Sequence, residues 1–224
     1  MKTTAIICVF NEEKTIKNVV TTVSDYFFDE VIVINDGSTD KTDEIVRGLT
    51  GLHNLKYIPL LENKGKGYAM ATGIEKAIGE IITFIDADLV NLTEEHFSQL
   101  ITPIFNQEAD MVLGQPSETL INYSVNPFKS FTGQRSVLKE DIFPIVDKMK
   151  HSKFGVETLI NLYFQSLGKK IEYVTLTGLV HPTKFQKTSA IKASKQLVSE
   201  GREIAITAFN NYDLLIKSIR NSIN

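Results

Sequence analysis

The sequence predicts an α/β fold in which helices cover both faces of a mostly parallel, Rossmann-like sheet. Short apolar runs alternate with segments of helical period through the first half of the chain, and polar motifs directly follow several of these runs. The 224 residues also suffice for one domain with a large core. The predicted strands are Thr4–Phe10, Glu30–Ile34, Leu55–Ile58, Ile81–Ile85 and Asp110–Leu113, and the predicted helices are Glu12–Ser24, Asp40–Leu49, Gly67–Ile78 and Thr93–Phe105.

The second half of the chain has weaker signals. Gly114–Phe131 loses periodicity and gathers prolines and asparagines, which predicts a long loop of the kind that is often functional. The segments Val137–Phe143 and Gly155–Leu167 have helical periodicity, and Ile171–Leu179 has the pattern of an extended segment. We therefore expect two further helices and one further strand after the loop.

The C-terminal tail, from about Thr188 onward, has apolar residues at sevenfold spacing, which predicts an amphipathic helix. The residues at this spacing are Val198, Ala205, Tyr212 and Ile219. The polar face mixes basic with acidic residues, and this mixture favours packing on the domain or on a twin subunit, as in a homodimer, over binding to a membrane. We therefore expect one domain, residues 1–187, followed by a helical tail, residues 188–224.

The charge and the cysteine content exclude several classes of protein. Lys and Arg number 24 against 27 Asp and Glu, so no overall basic field would attract nucleic acid. The one cysteine, Cys8, cannot form an intramolecular disulfide, and it suits a reducing compartment. No apolar segment reaches the roughly 20 residues that span a bilayer. We therefore expect a cytoplasmic protein without a nucleic-acid partner, for which peripheral contact with a membrane stays open.

An acidic pair, Asp86-Ala87-Asp88, directly follows the apolar run Ile81–Ile85. Two carboxylates at the end of a buried strand repel each other unless a cation lies between or beside them. A hard divalent ion such as Mg²⁺ or Mn²⁺ would relieve this repulsion and could bridge to phosphate oxygens. Such a pair also occurs by chance in many proteins, so its meaning depends on the surrounding motifs.

The segment Asn63–Gly73 opens a predicted helix with two glycines and two lysines, Lys64 and Lys66. The N–H groups at a helix start favour an anion, so a diphosphate is a suitable ligand. The alternative is a plain junction between loop and helix with solvated lysines. The spacing is not that of a Walker loop, which argues against an ordinary kinase or ATPase.

Two further acids follow the first and second predicted strands. Asp36 could accept a hydrogen bond from the base or ribose of a nucleotide, or it could cap the helix that follows. Glu12 could likewise cap its own helix or face the base. Ligands of parallel sheets bind beyond the carboxyl ends of the strands, so these acids and the acidic pair are expected to converge at one edge.

Four blocks of the first half carry a resemblance to a known family. They are Cys8–Glu13, Ile34–Thr42, Asn63–Gly67 and Phe84–Leu89. In order and spacing they resemble the conserved blocks of the large GT-A glycosyltransferase family that includes polyprenyl-phosphate sugar transferases. The resemblance implies a GT-A fold, a nucleotide pocket lined by the first two blocks, and a metal and sugar diphosphate held by the aspartates of the last. By the same resemblance, residues 1–187 would form a GT-A glycosyltransferase domain, with a nucleotide-binding half at residues 1–113 and an acceptor half at residues 114–187. The donor-binding residues that it implies are Phe10, Glu12, Asp36, Lys66, Asp86, Ala87 and Asp88.

The second half is similar to the glucosyl-3-phosphoglycerate synthase branch and its bacterial relatives. The matching residues are Thr132–Ser136, Phe154–Glu157 and Gly178–His181, followed by Lys184 and Lys187. By this resemblance Asp88 is the principal metal ligand and His181 the third protein ligand. Lys184 and Lys187 would contact the diphosphate or an acceptor phosphate. Glu157, which with Asp86 is a candidate catalytic residue, would act as a base on the acceptor hydroxyl or hold it.

Two departures from the polyprenyl-phosphate mannosyltransferases concern the donor. Gln115-Pro116 stands where those enzymes carry an arginine, and Val90 stands where they have a glutamine. The departures favour a UDP-sugar over a GDP-sugar. The implied reaction is the metal-dependent transfer of a sugar from a nucleoside-diphosphate sugar to a hydroxyl or phosphate, with a phosphorylated small molecule, a polyprenyl phosphate or a glycan as acceptor.

Two other functions fit parts of the pattern. A sugar-phosphate nucleotidyltransferase shares a nucleotide-binding α/β sheet and a divalent ion, but it normally has a glycine-rich loop with an arginine after the first strand. This chain has Asn11-Glu12-Glu13-Lys14 at that position. A binding module that has lost turnover would be expected to have a broken acidic pair, whereas Asp86 and Asp88 are both present.

Overall fold

A seven-stranded sheet forms the centre of the computed structural model, which describes residues 1–26, 28–118, 133–180 and 201–223. The strands are β1 (Thr3–Val9), β2 (Glu30–Asn35), β3 (Leu55–Pro59), β4 (Ile81–Asp86), β5 (Met111–Glu118), β6 (Arg135–Leu138) and β7 (Ile171–Val180). They lie in the order β3-β2-β1-β4-β6-β5-β7. Only β6 among them is antiparallel to its neighbours. The predicted α/β fold with a mostly parallel sheet is confirmed.

Helices cover both faces of this sheet. They are α1 (Ile16–Asp25), α2 (Thr42–Arg47), α3 (Lys66–Lys76), α4 (Glu94–Phe105), α5 (Lys139–Ile142), α6 (Val146–Lys150), α7 (Val156–Ser166) and α8 (Tyr212–Ile223), with 3₁₀ turns at Phe143–Ile145 and Lys153–Gly155. Buried residues of α1, α2 and α4 form one core cluster with the sheet, and those of α3, α6 and α7 form a second. The two clusters correspond to the two faces of the sheet, as expected for an α/β layer architecture.

The central strands are apolar along their whole length because both of their faces are covered. All six residues of β2 are buried, and β1 lies between β2 and β4. In register, Cys8 of β1 pairs with Ile34 on one side and with Asp86 on the other. The carboxyl ends of β1, β2 and β4 therefore meet at one edge.

Two predictions for the second half need correction. The predicted helix Val137–Phe143 begins only at Lys139, because Val137 and Leu138 belong to β6, which pairs with β4 and with β5. Buried ladder pairing on both sides outweighs a short helical pattern there. The predicted loop Gly114–Phe131 begins later than expected, since β5 continues to Glu118 along β7, with an irregular register after Pro116. The rest of that loop lies outside the described residues.

The C-terminal tail is helical at residues 201–210 and in α8. Its inward face carries Thr207, Leu214 and Ser218, and the Ser218 hydroxyl is 2.9 Å from Oε1 of Gln165 in α7. The sevenfold apolar stripe instead faces outward in the described part, with Tyr212 64% exposed. The tail therefore packs on the domain, one of the two expected arrangements, but through Thr207, Leu214 and Ser218 rather than through the sevenfold stripe. The predicted boundary between residues 187 and 188 lies outside the described residues and stays a prediction.

Across the described ranges of the chain, every helix is too short or too polar to cross a membrane.

Candidate active site

The loops after β1 and β2 are joined to each other at the sheet edge. Asn11 has a φ of 55°, and its side-chain oxygen accepts a 2.8 Å hydrogen bond from the Thr39 N–H. The Asn11 N–H in turn donates to the hydroxyl of Ser38 at 2.9 Å. Phe10 is 44% exposed beside this junction, which leaves its ring available to a ligand. Glu12 is half-buried, and its carbonyl accepts the first hydrogen bonds of the helical turn that leads into α1.

Asp36 is buried and binds the loop that precedes α3. Its two carboxylate oxygens accept hydrogen bonds from the backbone N–H groups of Lys64, at 2.7 Å, and Gly65, at 2.9 Å. Burial raises the pKa of Asp36, although these two hydrogen bonds oppose the shift. The capping alternative is not what the structure shows, because the oxygen that accepts from the N–H of Thr42 at the start of α2 belongs to Asp40.

Glycine is required at two positions at the start of α3, for a different structural reason at each. Gly65, the residue before the helix, has a φ of 95°, a conformation that L-residues rarely adopt. Gly67 packs against α6 so closely that a Cβ would overlap the carbonyl oxygen of Met149. Close helix packing therefore explains Gly67 without a phosphate ligand.

Lys66 joins two of the predicted site residues. Its ammonium lies 2.9 Å from Oδ1 of Asp86 and 2.7 Å from Oε1 of Glu157, and all three side chains are largely buried. Burial lowers the pKa of Lys66, but the charges of the two carboxylates outweigh it and raise the pKa above its usual value. The ammonium stays charged, and it balances the two acids rather than standing free for a phosphate.

Asp86 is held from a second side by the residues directly before β6. Gln134 donates from Nε2 to Oδ2 of Asp86 at 2.7 Å, so both carboxylate oxygens accept a hydrogen bond from a protein group. The backbone of Gly133 lies so close that a Cβ there would overlap the carboxylate. A fixed carboxylate whose oxygens already have donors suits orientation of a ligand better than direct metal binding.

A fully buried arginine lies next to this group. Arg135 has 0% exposure, and its Nη1 donates to Oδ1 of Asn161 in α7 at 3.1 Å. Burial lowers the pKa of Arg135, opposed by the charges of Glu157 and Asp86. The resemblance at Thr132–Ser136 assigns no role to Gln134 or Arg135. The available signal in the sequence is an arginine separated by only Ser136 from the apolar pair Val137-Leu138.

Asp88 lies two residues beyond Asp86 and is half-buried, whereas Ala87 between them is buried. The next turn reaches β7, because Val90 and Val180 exchange two backbone hydrogen bonds of 3.0 Å. Three predicted site residues lie outside the described residues: His181, Lys184 and Lys187. The pairing of Val180 nevertheless brings the chain to this loop one residue before His181.

The residues at this edge fit a divalent cation that is shared with a substrate. Among the described residues, no three His, Cys, Asp or Glu side chains are grouped so as to hold a metal by themselves. Mg²⁺ is commonly held by one or two carboxylates, with substrate phosphates and waters completing its ligands. Asp88 can supply such a carboxylate, and His181 remains the predicted further ligand.

Comparison with known proteins gives a family match over most of the chain. The model of glycosyl transferase family 2 matches residues 4–191. A poly-β-1,6-N-acetyl-D-glucosamine synthase of Staphylococcus epidermidis is 32% identical over 113 residues, which are 50% of this chain and 27% of that protein. A UDP-N-acetylglucosamine–dolichyl-phosphate N-acetylglucosaminyltransferase of Methanococcus voltae is 34% identical over 125 residues, 49% of each chain. The matches thus span about half, or less, of the length of these relatives.

Solved structures of similar fold include glucosyl-3-phosphoglycerate synthase of Mycobacterium tuberculosis. Its complex with Mn²⁺, UDP and glucosyl-3-phosphoglycerate has a TM-score of 0.72 at 20% identity, covering 93% of this chain and 79% of that one. Its complex with Mg²⁺ and UDP has a TM-score of 0.73 at 20% identity, covering 93% and 78%. At this identity the likeness shows the fold, which is the GT-A fold that the sequence predicts.

Proposed function

We propose that this chain, which belongs to glycosyl transferase family 2, transfers a sugar from a UDP-sugar to an acceptor hydroxyl or phosphate with the help of Mg²⁺ or Mn²⁺. The observation that carries the proposal is the fixed carboxylate of Asp86 at the sheet edge, two residues before Asp88 and next to the loop that Asp36 holds. In this arrangement Asp36 would contact the nucleoside, Asp88 would hold the metal-bound diphosphate and Asp86 would contact the sugar.

The donor would lie along the edge formed by the ends of β1, β2 and β4. Phe10 and Glu12 would contact the nucleoside beside Asp36, and the start of α3 would face the diphosphate, where helix N–H groups favour negative charge. A bound Mg²⁺ or Mn²⁺ would neutralise the charge that develops on the leaving diphosphate. Asp88 and His181 would hold that ion, and Lys184 and Lys187 would add positive charge around the diphosphate.

Glu157 and Asp86 would face the reacting groups from the other side of Lys66. Oε1 of Glu157 accepts from Lys66, which leaves Oε2 to accept from an acceptor hydroxyl. If the reaction inverts configuration, Glu157 takes the proton of that hydroxyl, and if it retains configuration, Glu157 orients the acceptor. Asp86, held by Lys66 and Gln134, would orient the donor sugar so that its anomeric carbon faces the acceptor.

Relatives support the choice of donor and acceptor class. The M. voltae protein is named for UDP-N-acetylglucosamine and dolichyl phosphate, and the M. tuberculosis enzyme has been solved with UDP-glucose and phosphoglyceric acid. Both pairs combine a UDP-sugar with a phosphorylated acceptor. We therefore extend the proposal to a phosphorylated acceptor for this chain.

A donor-hydrolysis screen tests the proposed function. The purified chain is incubated with UDP-, GDP-, ADP- and dTDP-sugars, with Mg²⁺, Mn²⁺ or EDTA, and release of the nucleotide is measured. The expected result is cleavage of a UDP-sugar that needs the metal and accelerates when a phosphorylated acceptor is added. Failure to bind UDP and to cleave any of the four donors would contradict the proposal.

A further inference from the structure

Arg135 is a buried charge that the proposed reaction does not use. Among the largest fully buried side chains in the described part of the chain, Arg135 is the charged one, and it lies on β6 next to Gln134. Moving a charge out of water is costly unless partners compensate. A compensated cation beside two candidate catalytic carboxylates therefore requires an explanation.

The partners of Arg135 are arranged by two elements of the fold. Helix α7 carries Glu157 and Asn161, which are four residues apart and so lie on the same side of the helix. Asn161 accepts the hydrogen bond from Arg135 at 3.1 Å, and the charge of Glu157 acts on the same guanidinium. Gln134, the residue directly before β6, holds Asp86.

The two negative charges of Asp86 and Glu157 are balanced by two positive charges, those of Lys66 and Arg135. Asp86 and Glu157 are both bonded to Lys66, and a single ammonium cannot compensate two buried carboxylates that repel each other. The guanidinium of Arg135 provides the second positive charge. Without it, the mutual repulsion of the two carboxylates would turn one of them away from Lys66, and the spacing set by Lys66 would be lost.

We propose that Arg135 is a positioning residue, whose buried charge, anchored on Asn161, keeps Asp86 and Glu157 at the spacing needed for sugar transfer. This inference rests on the proposed function. Arg135 is fully buried, so it acts through the two carboxylates rather than by touching the substrate. Its loss should therefore reduce turnover while UDP, which would bind at Asp36 and Asp88, keeps its affinity.

The test compares Arg135→Met, Arg135→Lys and Asn161→Ala with Val137→Ala, a control in the same strand and on the same side of the sheet. For each folded variant, kcat is measured with UDP-glucose or UDP-N-acetylglucosamine, whichever the wild type cleaves faster, and the UDP Kd is measured by calorimetry with Mn²⁺. We expect kcat to fall about tenfold or more in Arg135→Met, the effect of losing one charge-assisted interaction. The UDP Kd should stay within about twofold, and Arg135→Lys, which keeps the positive charge but not the planar guanidinium, should recover part of the lost kcat.

Two results would overturn the inference. One is a folded Arg135→Met with the kcat of Val137→Ala, and the other is a parallel loss of kcat and UDP affinity, which indicates a merely structural residue. If Arg135→Met fails to fold, Asn161→Ala tests the inference instead. Its kcat must then fall while its UDP Kd stays unchanged, and an unchanged kcat would overturn the inference. A wild-type protein without UDP binding or donor cleavage would refute the proposed function and this inference together, whereas an active wild type with an active Arg135→Met refutes the inference alone.

Discussion

Gly133→Ala should disable the site although it adds a single methyl group. The new Cβ would overlap the carboxylate of Asp86, which Gln134 holds at 2.7 Å and Lys66 at 2.9 Å. Non-bonded heavy atoms need about 3.5 Å, so the strand or the carboxylate must move by roughly 1 Å. Such a shift lengthens the Gln134 bond past the hydrogen-bonding limit of about 3.2 Å.

The expected loss follows from that displacement. A hydrogen bond to a charged group contributes about 1.5–3 kcal/mol, which corresponds to about 10- to 100-fold in rate. A misplacement of about 1 Å at a reacting group has an effect of similar size. We therefore expect kcat for UDP-sugar cleavage to fall about 10- to 100-fold in Gly133→Ala.

The assay measures metal-dependent UDP release, together with the thermal unfolding midpoint of each variant. Gly51→Ala is the matched control, because a Cβ at Gly51 meets nothing within 4 Å. A Gly133→Ala protein whose kcat lies within about twofold of that of Gly51→Ala would refute the reasoning about Asp86.

Three further predictions concern other parts of the site. Asp36→Ala should raise the UDP Kd about tenfold, because the Asp36 carboxylate fixes the backbone N–H groups before α3. Asp40→Ala, the control, should leave the UDP Kd unchanged. Calorimetry with Mn²⁺ measures both values, and equal affinities of the two variants would contradict the prediction. Burial raises the pKa of Cys8 to about 12, so the thiol stays protonated at pH 8.5. Iodoacetamide should therefore alkylate Cys8 far more slowly in the native protein than in the urea-unfolded protein. Mass spectrometry measures the two rates, and equal rates would contradict the prediction. His181→Ala should raise the Mn²⁺ concentration needed for half-maximal cleavage without weakening metal-free UDP binding, and an unchanged metal titration would remove His181 from the metal site.

The fold of residues 1–113 was largely predictable from sequence because its signals are local. Strands β1, β2 and β4 are apolar runs that end at polar motifs, and the parallel arrangement then places those motifs at one edge. Asp36 and Asp86 could be located in this way before any contact was known. The boundaries of these three strands differ from the predicted ones by at most one residue.

The contacts within the site could not be predicted because they join distant segments. Lys66 reaches Glu157 across 91 residues, and its pairing with two acids changes its expected role from a phosphate ligand to the counter-ion of the group. The sequence pattern predicts a helix for Val137 and Leu138, the second half of antiparallel β6, because two apolar residues are too short a run to decide between strand and helix. The importance of Arg135 follows only from that strand, because a solvated arginine and a buried one look alike in sequence.

The most direct test of the central claim compares metal-dependent UDP release by the wild type and by Asp88→Asn. Asp213→Asn, an exposed acid on the C-terminal helix, is the matched control. We predict cleavage of a UDP-sugar by the wild type and by Asp213→Asn with Mn²⁺ or Mg²⁺, no cleavage in EDTA, and a loss of about 100-fold or more in Asp88→Asn, since its carboxylate would hold the metal. Cleavage by Asp88→Asn at close to the wild-type rate, or wild-type cleavage that persists in EDTA, would contradict a metal-dependent glycosyltransferase site at Asp88.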